Sequence, residues 1–182
     1  MPLTAYHRHT SRLVLVPEDP DAPLRAQRLR ELGIGPEPLR ACDEAARRLA
    51  EETGAPCAVV TLVDAAQQFF AGLHAPPGMV RGRTMAREYG FCPYVVARRR
   101  ALVLDDVRAY PRFAGNPLVE AAGIRAYAGA PLLDPSGIAL GTLAAVDHTP
   151  RPWGREGLAA AKSGAARLTG QLLEQARYLG PG

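Results

Sequence analysis

Apolar positions recur along this chain at two spacings, and each spacing predicts a type of element. From about Pro38 to Thr53, apolar side chains lie alternately three and four positions apart, which places them on one face of an α-helix. Gly54 follows the last turn of this predicted helix and is suited to end it. The stripe consists of Leu39, Cys42, Ala46, Leu49 and Thr53.

A second helical stripe runs from about Arg155 to Leu179. Its apolar residues fall at the a and d positions of a heptad repeat, which Gln175 interrupts. Two helices that together cover a small sheet do not need an apolar stripe of this length. The extra length therefore favours pairing with a second copy of the chain. Its residues are Leu158, Ala161, Ala165, Leu168, Leu172 and Leu179.

Short apolar runs between the two helices predict strands. Cys57–Val63 is rich in β-branched residues and apolar on both faces, which is typical of a central strand, and Gln68–Leu73 returns beside it as a hairpin. Ala126–Leu133 and Ile138–Val146 form a second hairpin. Its turn, Asp134–Gly137, has Asp, Pro and Gly at the positions that a type I turn prefers. Hairpins joined to covering helices predict an α+β architecture.

The remaining segments are shorter or irregular. We predict a short helix over Arg25–Leu32, a loop over His74–Arg83, a helix from about Arg87 to Arg98 and a strand at Leu102–Leu104. Prolines and glycines break up residues 108–123, where only short helical turns are expected. Such long irregular segments often carry function. Several prolines also interrupt residues 1–36, which we expect to be a partly disordered lead-in.

Composition narrows the class of protein. The 182 residues fit one domain, and the three cysteines are too few and too far apart for a disulfide framework. The chain has neither an apolar leader nor a membrane-length apolar stretch, so we expect a cytoplasmic protein without a membrane partner. The net charge of +4 is scattered, and Arg98–Arg100, its one basic run, lies at a predicted helix end. We therefore expect no nucleic-acid partner.

Four segments, taken in order, resemble the GAF domain family. They are Cys57–Leu73 (CAVVTLVDAAQQFFAGL), Phe91–Tyr94 (FCPY), Leu102–Val119 (LVLDDVRAYPRFAGNPLV) and Ile124–Asp147 (IRAYAGAPLLDPSGIALGTLAAVD). The resemblance implies a GAF domain over residues 37–182 with an antiparallel sheet of five or six strands. It also implies N- and C-terminal helices on one face of this sheet and a loop-roofed ligand pocket on the other.

The resemblance places a ligand between the sheet and residues 108–125. Arg125 and Tyr127 share a face of their strand, where Arg125 would either pair with an anionic ligand or brace the irregular segment. Asp105 and Asp106 are adjacent and point to opposite faces, so we expect one of them to order the following loop, through Arg112, and not to form an acid–base dyad. Asn116, before a proline, is expected to cap a turn. The candidate ligand-binding residues are Phe91, Cys92, Tyr94, Asp106, Phe113, Arg125 and Tyr127.

Cys92 carries the alternative of redox chemistry, because a thiol near a helix start is activated by the helix dipole. Some GAF-fold proteins reduce free methionine-R-sulfoxide with a cysteine in this region, but their further cysteine in the irregular segment is missing here. Cys42 and Cys57 lie on apolar stripes and are expected to be core residues. The motif that accompanies tetrapyrrole attachment is also absent, so no cofactor is assigned.

Metal and phosphate chemistry have no support in the sequence. His7, His9, His74 and His148 lack ligand partners at metal-binding spacing, apart from the His7–His9 pair in the lead-in, so we predict no metal site. No phosphate-binding loop, dinucleotide fingerprint or serine-nucleophile motif occurs.

The resemblance implies a small-molecule-binding sensory module in signal transduction and not an enzyme. We expect a homodimer formed through the terminal helices, without an output domain, that acts on a signalling protein partner. Two alternatives stay open: a Cys92-dependent reductase, and a pocketless dimerisation scaffold whose cavity is filled by Phe and Tyr side chains.

Overall fold

The computed structural model describes residues 17–179, with the side chain of Leu179 left out. Six helices, six strands and a 3-10 turn at Val107–Ala109 follow one another in this range. The helices are α1 (Ala22–Glu31), α2 (Arg40–Thr53), α3 (Cys92–Arg98), α4 (Pro111–Ala114), α5 (Pro117–Ala121) and α6 (Gly154–Leu179). The strands are β1 (Cys57–Val63), β2 (Gln67–His74), β3 (Thr84–Ala86), β4 (Leu102–Leu104), β5 (Ala126–Leu133) and β6 (Ala139–Asp147).

All six strands form one antiparallel sheet in the order β3-β2-β1-β6-β5-β4. The central strands β1 and β6 are buried along their whole length, as the doubly apolar runs predict. Both predicted hairpins are confirmed, and so is the α+β class. Pro131 lies in β5, beyond the residues of this strand that pair with β4. Its lack of an amide hydrogen therefore removes no hydrogen bond to β4.

Helices α2 and α6 cover one face of the sheet. The predicted stripe of α2 is buried there through Cys42, Ala46 and Leu49. The main chain joins this helix to β2, because the Leu39 amide donates to the Ala71 carbonyl at 2.8 Å. The side-chain carboxylate of Asp43 in turn accepts from the Leu73 amide.

The heptad-like stripe of α6 also faces this core. Ala161, Ala165, Leu168 and Leu172 are all buried against the sheet and α2 within a single chain. The stripe is therefore accounted for by packing inside one chain, and it does not by itself call for a second copy.

The opposite face, which we call the roof-side face, carries a second apolar core. It packs beneath residues 87–98 and 107–124, which we call the roof. Short helices α4 and α5 lie in the segment that was expected to be irregular with helical turns. No helix among residues 17–179 is long and apolar enough to cross a membrane.

The lead-in is ordered where the structure describes it. Helix α1 begins three positions earlier than the predicted start at Arg25 and packs Leu29 into the first core. Arg25 is completely buried and donates to the Ala139 carbonyl at the start of β6. Residues 1–16, where part of the predicted disorder falls, lie outside the described range.

One helix start was predicted wrongly, and one strand was not predicted. The helix expected from Arg87 begins at Cys92. Gly90 takes a left-handed conformation (φ +79°), which a continuous α-helix cannot include, so the helix starts after it. Thr84–Ala86, for which no element was predicted, form the edge strand β3, which is too short and too exposed to give an alternating pattern.

Candidate functional site

The floor of the candidate site is the roof-side face of β1, β5 and β6. Side chains that alternate along these strands point upward from it, and Tyr127 is the largest of them. The hydroxyl end of the Tyr127 ring lies over Gly129, two positions along the same strand. A β-carbon built on Gly129 would stand 2.6 Å from the Tyr127 Cζ atom, so the ring occupies the space that any other residue would fill. Its slot exists only because residue 129 has no side chain.

A polar cluster lies within this apolar layer. The Thr142 hydroxyl donates to Cys92 Sγ at 3.0 Å, and the Tyr127 hydroxyl lies 3.5 Å from the same sulfur. All three residues are buried. Burial, followed by the contact with Cys92, raises the pKa of Tyr127 well above its ordinary value, so the phenol keeps its proton. Sequence reasoning selected Cys92 and Tyr127 but missed Thr142.

Aromatic rings fill the space between floor and roof. Phe91 packs against Tyr127 with ring centroids 5.1 Å apart and against Phe113 at 5.9 Å. Tyr94 meets Phe113 edge-on at 5.0 Å, and the Arg112 guanidinium lies 5.6 Å from the Tyr94 ring centre. The predicted aromatic residues are thus brought together, in a closed arrangement.

Asp106 and Arg125 form an ion pair at the margin of the roof. Arg125 donates through Nε and Nη2 to the two carboxylate oxygens of Asp106, at 3.1 and 2.7 Å. The guanidinium hydrogen bond lowers the pKa of Asp106. Of the two roles considered for Arg125, this contact corresponds to bracing the irregular segment.

The expected partner of this carboxylate was wrong. Asp106 accepts from the Arg108 amide and from Arg125, whereas Arg112 lies over Tyr94. Asp105 turns away from it and accepts from the Trp153 amide at 3.1 Å, so the two neighbours act on different sides, as their alternation predicts.

The Asn116 side chain links the two segments of the roof, residues 87–98 and 107–124. Its side-chain oxygen caps α5 by accepting from the Leu118 amide, which confirms the predicted turn cap. The same side chain also spans to Gly90, accepting from its amide at 3.0 Å and donating to its carbonyl at 2.8 Å. The cap was readable from the Asn-Pro pair, but the long-range bridge was not.

Gln68 and Thr61 are polar residues of the roof-side face that the sequence did not mark. The Gln68 amide nitrogen donates to the carbonyls of Ala86, Arg87 and Tyr89. Its oxygen and the Thr61 hydroxyl are buried without a hydrogen-bond partner.

The other cysteines behave as core residues. Burial raises the pKa of Cys57 to about 11. Burial together with the charge of Asp43 raises the pKa of Cys42 to about 12. Neither therefore offers a thiolate near neutral pH. Among residues 17–179, no three His, Cys, Asp or Glu side chains are grouped so that they could hold a metal ion.

Known proteins resemble this chain both in sequence and in fold. The GAF domain family model matches residues 37–172. A cyclic di-GMP phosphodiesterase of Pseudomonas aeruginosa is 35% identical over 97 residues, which are 53% of this chain and 16% of that protein. The chain thus spans only a small part of this relative.

Solved structures share the fold at low identity. The free methionine-R-sulfoxide reductase of Neisseria meningitidis, in complex with its substrate, superposes with a TM-score of 0.62 at 18% identity, covering 90% of this chain and 96% of that one. The GAF domain of a phosphoenolpyruvate-protein phosphotransferase from Coxiella burnetii gives the same TM-score and identity, covering 86% and 94%.

Proposed function

Because the chain belongs to the GAF domain family, we propose that it is a sensory module that binds a small molecule between the roof-side face and the roof. One observation carries the proposal: a buried polar cluster of Cys92, Thr142 and Tyr127 lies inside an otherwise apolar core. A core of this size needs no such polar groups for stability, whereas ligand sites combine apolar walls with a few oriented polar groups.

The part of the roof formed by residues 107–124 has little regular secondary structure to lose on opening. Helices α4 and α5 have four and five residues, so each contains few internal hydrogen bonds. Phe113 lies on α4, and its ring closes the site over Tyr94 and Phe91. In the proposed mechanism a ligand displaces these rings, orders the roof differently and so favours one of two states.

Native mass spectrometry of the purified protein tests the proposal. We expect a co-purifying small molecule, and hydrogen exchange that slows on its rebinding in residues 107–124 and not in α2. A metabolite collection screened by thermal shift extends the test to ligands lost in purification. The proposal fails if no compound is retained and none raises the melting temperature.

A pocketless scaffold is the second candidate, and the packing of Phe91, Tyr94, Phe113 and Tyr127 favours it. The two candidates differ in the stability of the roof. A scaffold requires roof amides that exchange as slowly as those of β1 and β6, whereas a sensor requires a roof that opens locally.

The redox alternative rests on Cys92 alone. The thiol begins α3, but the pKa values of Cys57 and Cys42 are raised, and a resolving thiol must attack as a thiolate. We therefore place a binding role first. Turnover of free methionine-R-sulfoxide with a thiol donor, lost in Cys92→Ser, would reverse that order.

Homodimerisation through the terminal helices and action on a signalling protein are the further parts of the proposal. The available surface is a groove between α2 and α6 with small residues such as Ala45 and Ala160 on its walls. Glu52 and Arg167 form an ion pair beside it, so the groove presents charges of both signs to a second copy. Tyr178 is 90% exposed near the end of α6 and extends this surface.

A further inference from the structure

Three unpartnered polar side-chain atoms within the described range belong to residues on or just after the neighbouring strands β1, β2 and β3. Among the described residues, the buried side-chain atoms without a hydrogen-bond partner are Thr61 Oγ1, Gln68 Oε1 and Arg87 Nε. Thr61 and Gln68 are completely buried on neighbouring strands β1 and β2, and Arg87 directly follows β3. Buried polar groups nearly always have a hydrogen-bond partner in folded proteins, so these unpartnered atoms call for an explanation.

The register places the side chains of Thr61 and Gln68 on the roof-side face of the sheet. Thr61 pairs with Thr142 of β6, whose hydroxyl contacts Cys92, so both threonines rise from the roof-side face. Gln68 pairs with Val63, two positions beyond Thr61 on the same face. Thr61 therefore lies next to the polar cluster that carries the proposed function, and Gln68 lies on the same face one strand further out.

The orientation of the Gln68 amide is fixed by its surroundings. Its nitrogen donates to the carbonyls of Ala86, Arg87 and Tyr89, and a flipped amide would face those carbonyls with its own oxygen. The free atom is thus an acceptor. The Thr61 hydroxyl beside it can donate or accept.

These requirements define a chemical class of ligand. An uncharged group that offers an N–H to the Gln68 oxygen and an acceptor to the Thr61 hydroxyl satisfies both atoms. An amide or lactam has this arrangement. A carboxylate would face the Gln68 oxygen without a donor. A buried cation would need a carboxylate partner, and the nearby Asp19 is already paired with Arg25 and Arg87.

We propose that Thr61 and Gln68 form a subsite for an uncharged amide or lactam group of the ligand. This inference rests on the proposed function, because the subsite is reached only when the roof admits a ligand. It adds the ligand's class to a site that the family assignment leaves chemically open.

Benzamide, benzoate and toluene test the subsite, because they share one ring and differ in the group attached to it. Their affinities for the full chain can be measured by titration with protein-observed NMR. We expect benzamide to bind at least about tenfold more tightly than toluene, since its two added hydrogen bonds are together worth about that factor or more. Benzoate should bind more weakly than benzamide.

Thr61→Val removes the hydroxyl and keeps the shape of the side chain. We expect it to reduce the preference for benzamide over toluene, because the contact to Gln68 remains, and not to lower the melting temperature, because the hydroxyl lacks a partner in the free protein. Thr169→Val is the matched control: it removes a buried hydroxyl that bonds to Ala165 in α6, and should leave the preference intact.

The outcomes separate the two claims. Equal binding of benzamide and toluene beneath the roof overturns the subsite and leaves the sensory function standing. Tighter binding of benzoate, or an unchanged preference in Thr61→Val, also overturns the subsite. If none of the three compounds binds, the roof does not open to them, and this result counts against both the subsite and the proposed function.

Discussion

A single missing β-carbon decides what fills the candidate site. Gly129 leaves a slot on the roof-side face, and the Tyr127 ring lies in it with its hydroxyl near Cys92. Both the closed packing and the polar cluster depend on this position of the ring. A substitution at residue 129 would therefore alter the contacts of Cys92 indirectly, by moving the Tyr127 ring.

Gly129→Ala tests this dependence. The new β-carbon would meet Tyr127 Cζ at 2.6 Å and Cε1 at 2.9 Å, so the ring must leave its slot. We expect the free energy of unfolding, measured by urea denaturation, to fall by about 1–3 kcal/mol. This is the usual cost of adding atoms to a well-packed core. Adding Tyr127→Leu should recover most of the loss. Purely additive effects of the two changes would show that the ring is not the obstacle.

Residue identity predicted one part of the site and not the other. Cys92, Phe113 and Tyr127 stand out because such side chains have chemistry or bulk of their own. Thr61 and Thr142 do not, because threonine is an ordinary strand residue. Whether its hydroxyl is paired depends on partners distant in sequence, and no local pattern records them.

At the scale of elements, the segment before α2 fastens sheet and roof together. Asp19 accepts from both Arg25 Nη atoms, at 2.7 and 2.9 Å, and from Arg87 at 2.6 Å. Asp21 pairs with Arg99 at the end of α3, at 2.7 Å. The Asp19 and Arg25 side chains are almost fully buried, so this is an interior ion pair and not a surface one.

Asp19→Ala should destabilise the protein strongly, because it leaves the buried Arg25 guanidinium unpaired. We expect a loss of roughly 3 kcal/mol in the free energy of unfolding at neutral pH. Glu31→Ala is the control, since it removes an exposed partner of Arg28 and should change little. Equal effects of the two substitutions would contradict an interior role for Asp19.

The same carboxylate predicts a dependence of stability on pH. Burial pushes the pKa of Asp19 upward, but hydrogen bonds and charges from Arg25 and Arg87 outweigh it and hold the pKa below its ordinary value of 3.8. The stabilisation is therefore complete above that value and is lost as the pH falls through the lowered pKa. Acid titration of stability should show a smaller loss in Asp19→Ala than in the wild type.

Element prediction succeeded where periodicity was long and failed where it was short. The stripe of α2 and the two hairpins were evident because many residues repeat one spacing. Strand β3 has three residues and owes its existence to pairing with β2, so its own sequence contains no signal. The start of α3 was misplaced because the conformation of Gly90 is set by its roof contacts, including the bond to Asn116.

At the scale of the whole molecule, the helical layer is the proposed site of pairing between copies. Ala160 lies in the groove between α2 and α6, and Ala159 is exposed beside it on the same helix. Sedimentation velocity at micromolar concentration should show a wild-type dimer. Ala160→Arg should give a monomer, and Ala159→Arg a dimer. A monomeric wild type would refute pairing through this layer.

The architecture was predictable as a whole, but the closure of its site was not. Hairpin order and covering helices are determined by patterns that each element contains. The ring packing of Phe91, Phe113 and Tyr127 arises only when three separate segments meet, and no spacing within one segment indicates whether a cavity between them is open or filled.

The ordered lead-in changes where this protein can be cut. The family match begins at residue 37, yet Ala22, Arg25 and Leu29 upstream of it are buried in the folded chain. A fragment or chimera joined at that boundary would expose an apolar surface and strip Arg87 of its counter-ion. Domain swaps that aim to transplant this protein's behaviour should therefore carry the preceding twenty or so residues along, or they will report on a damaged sheet edge.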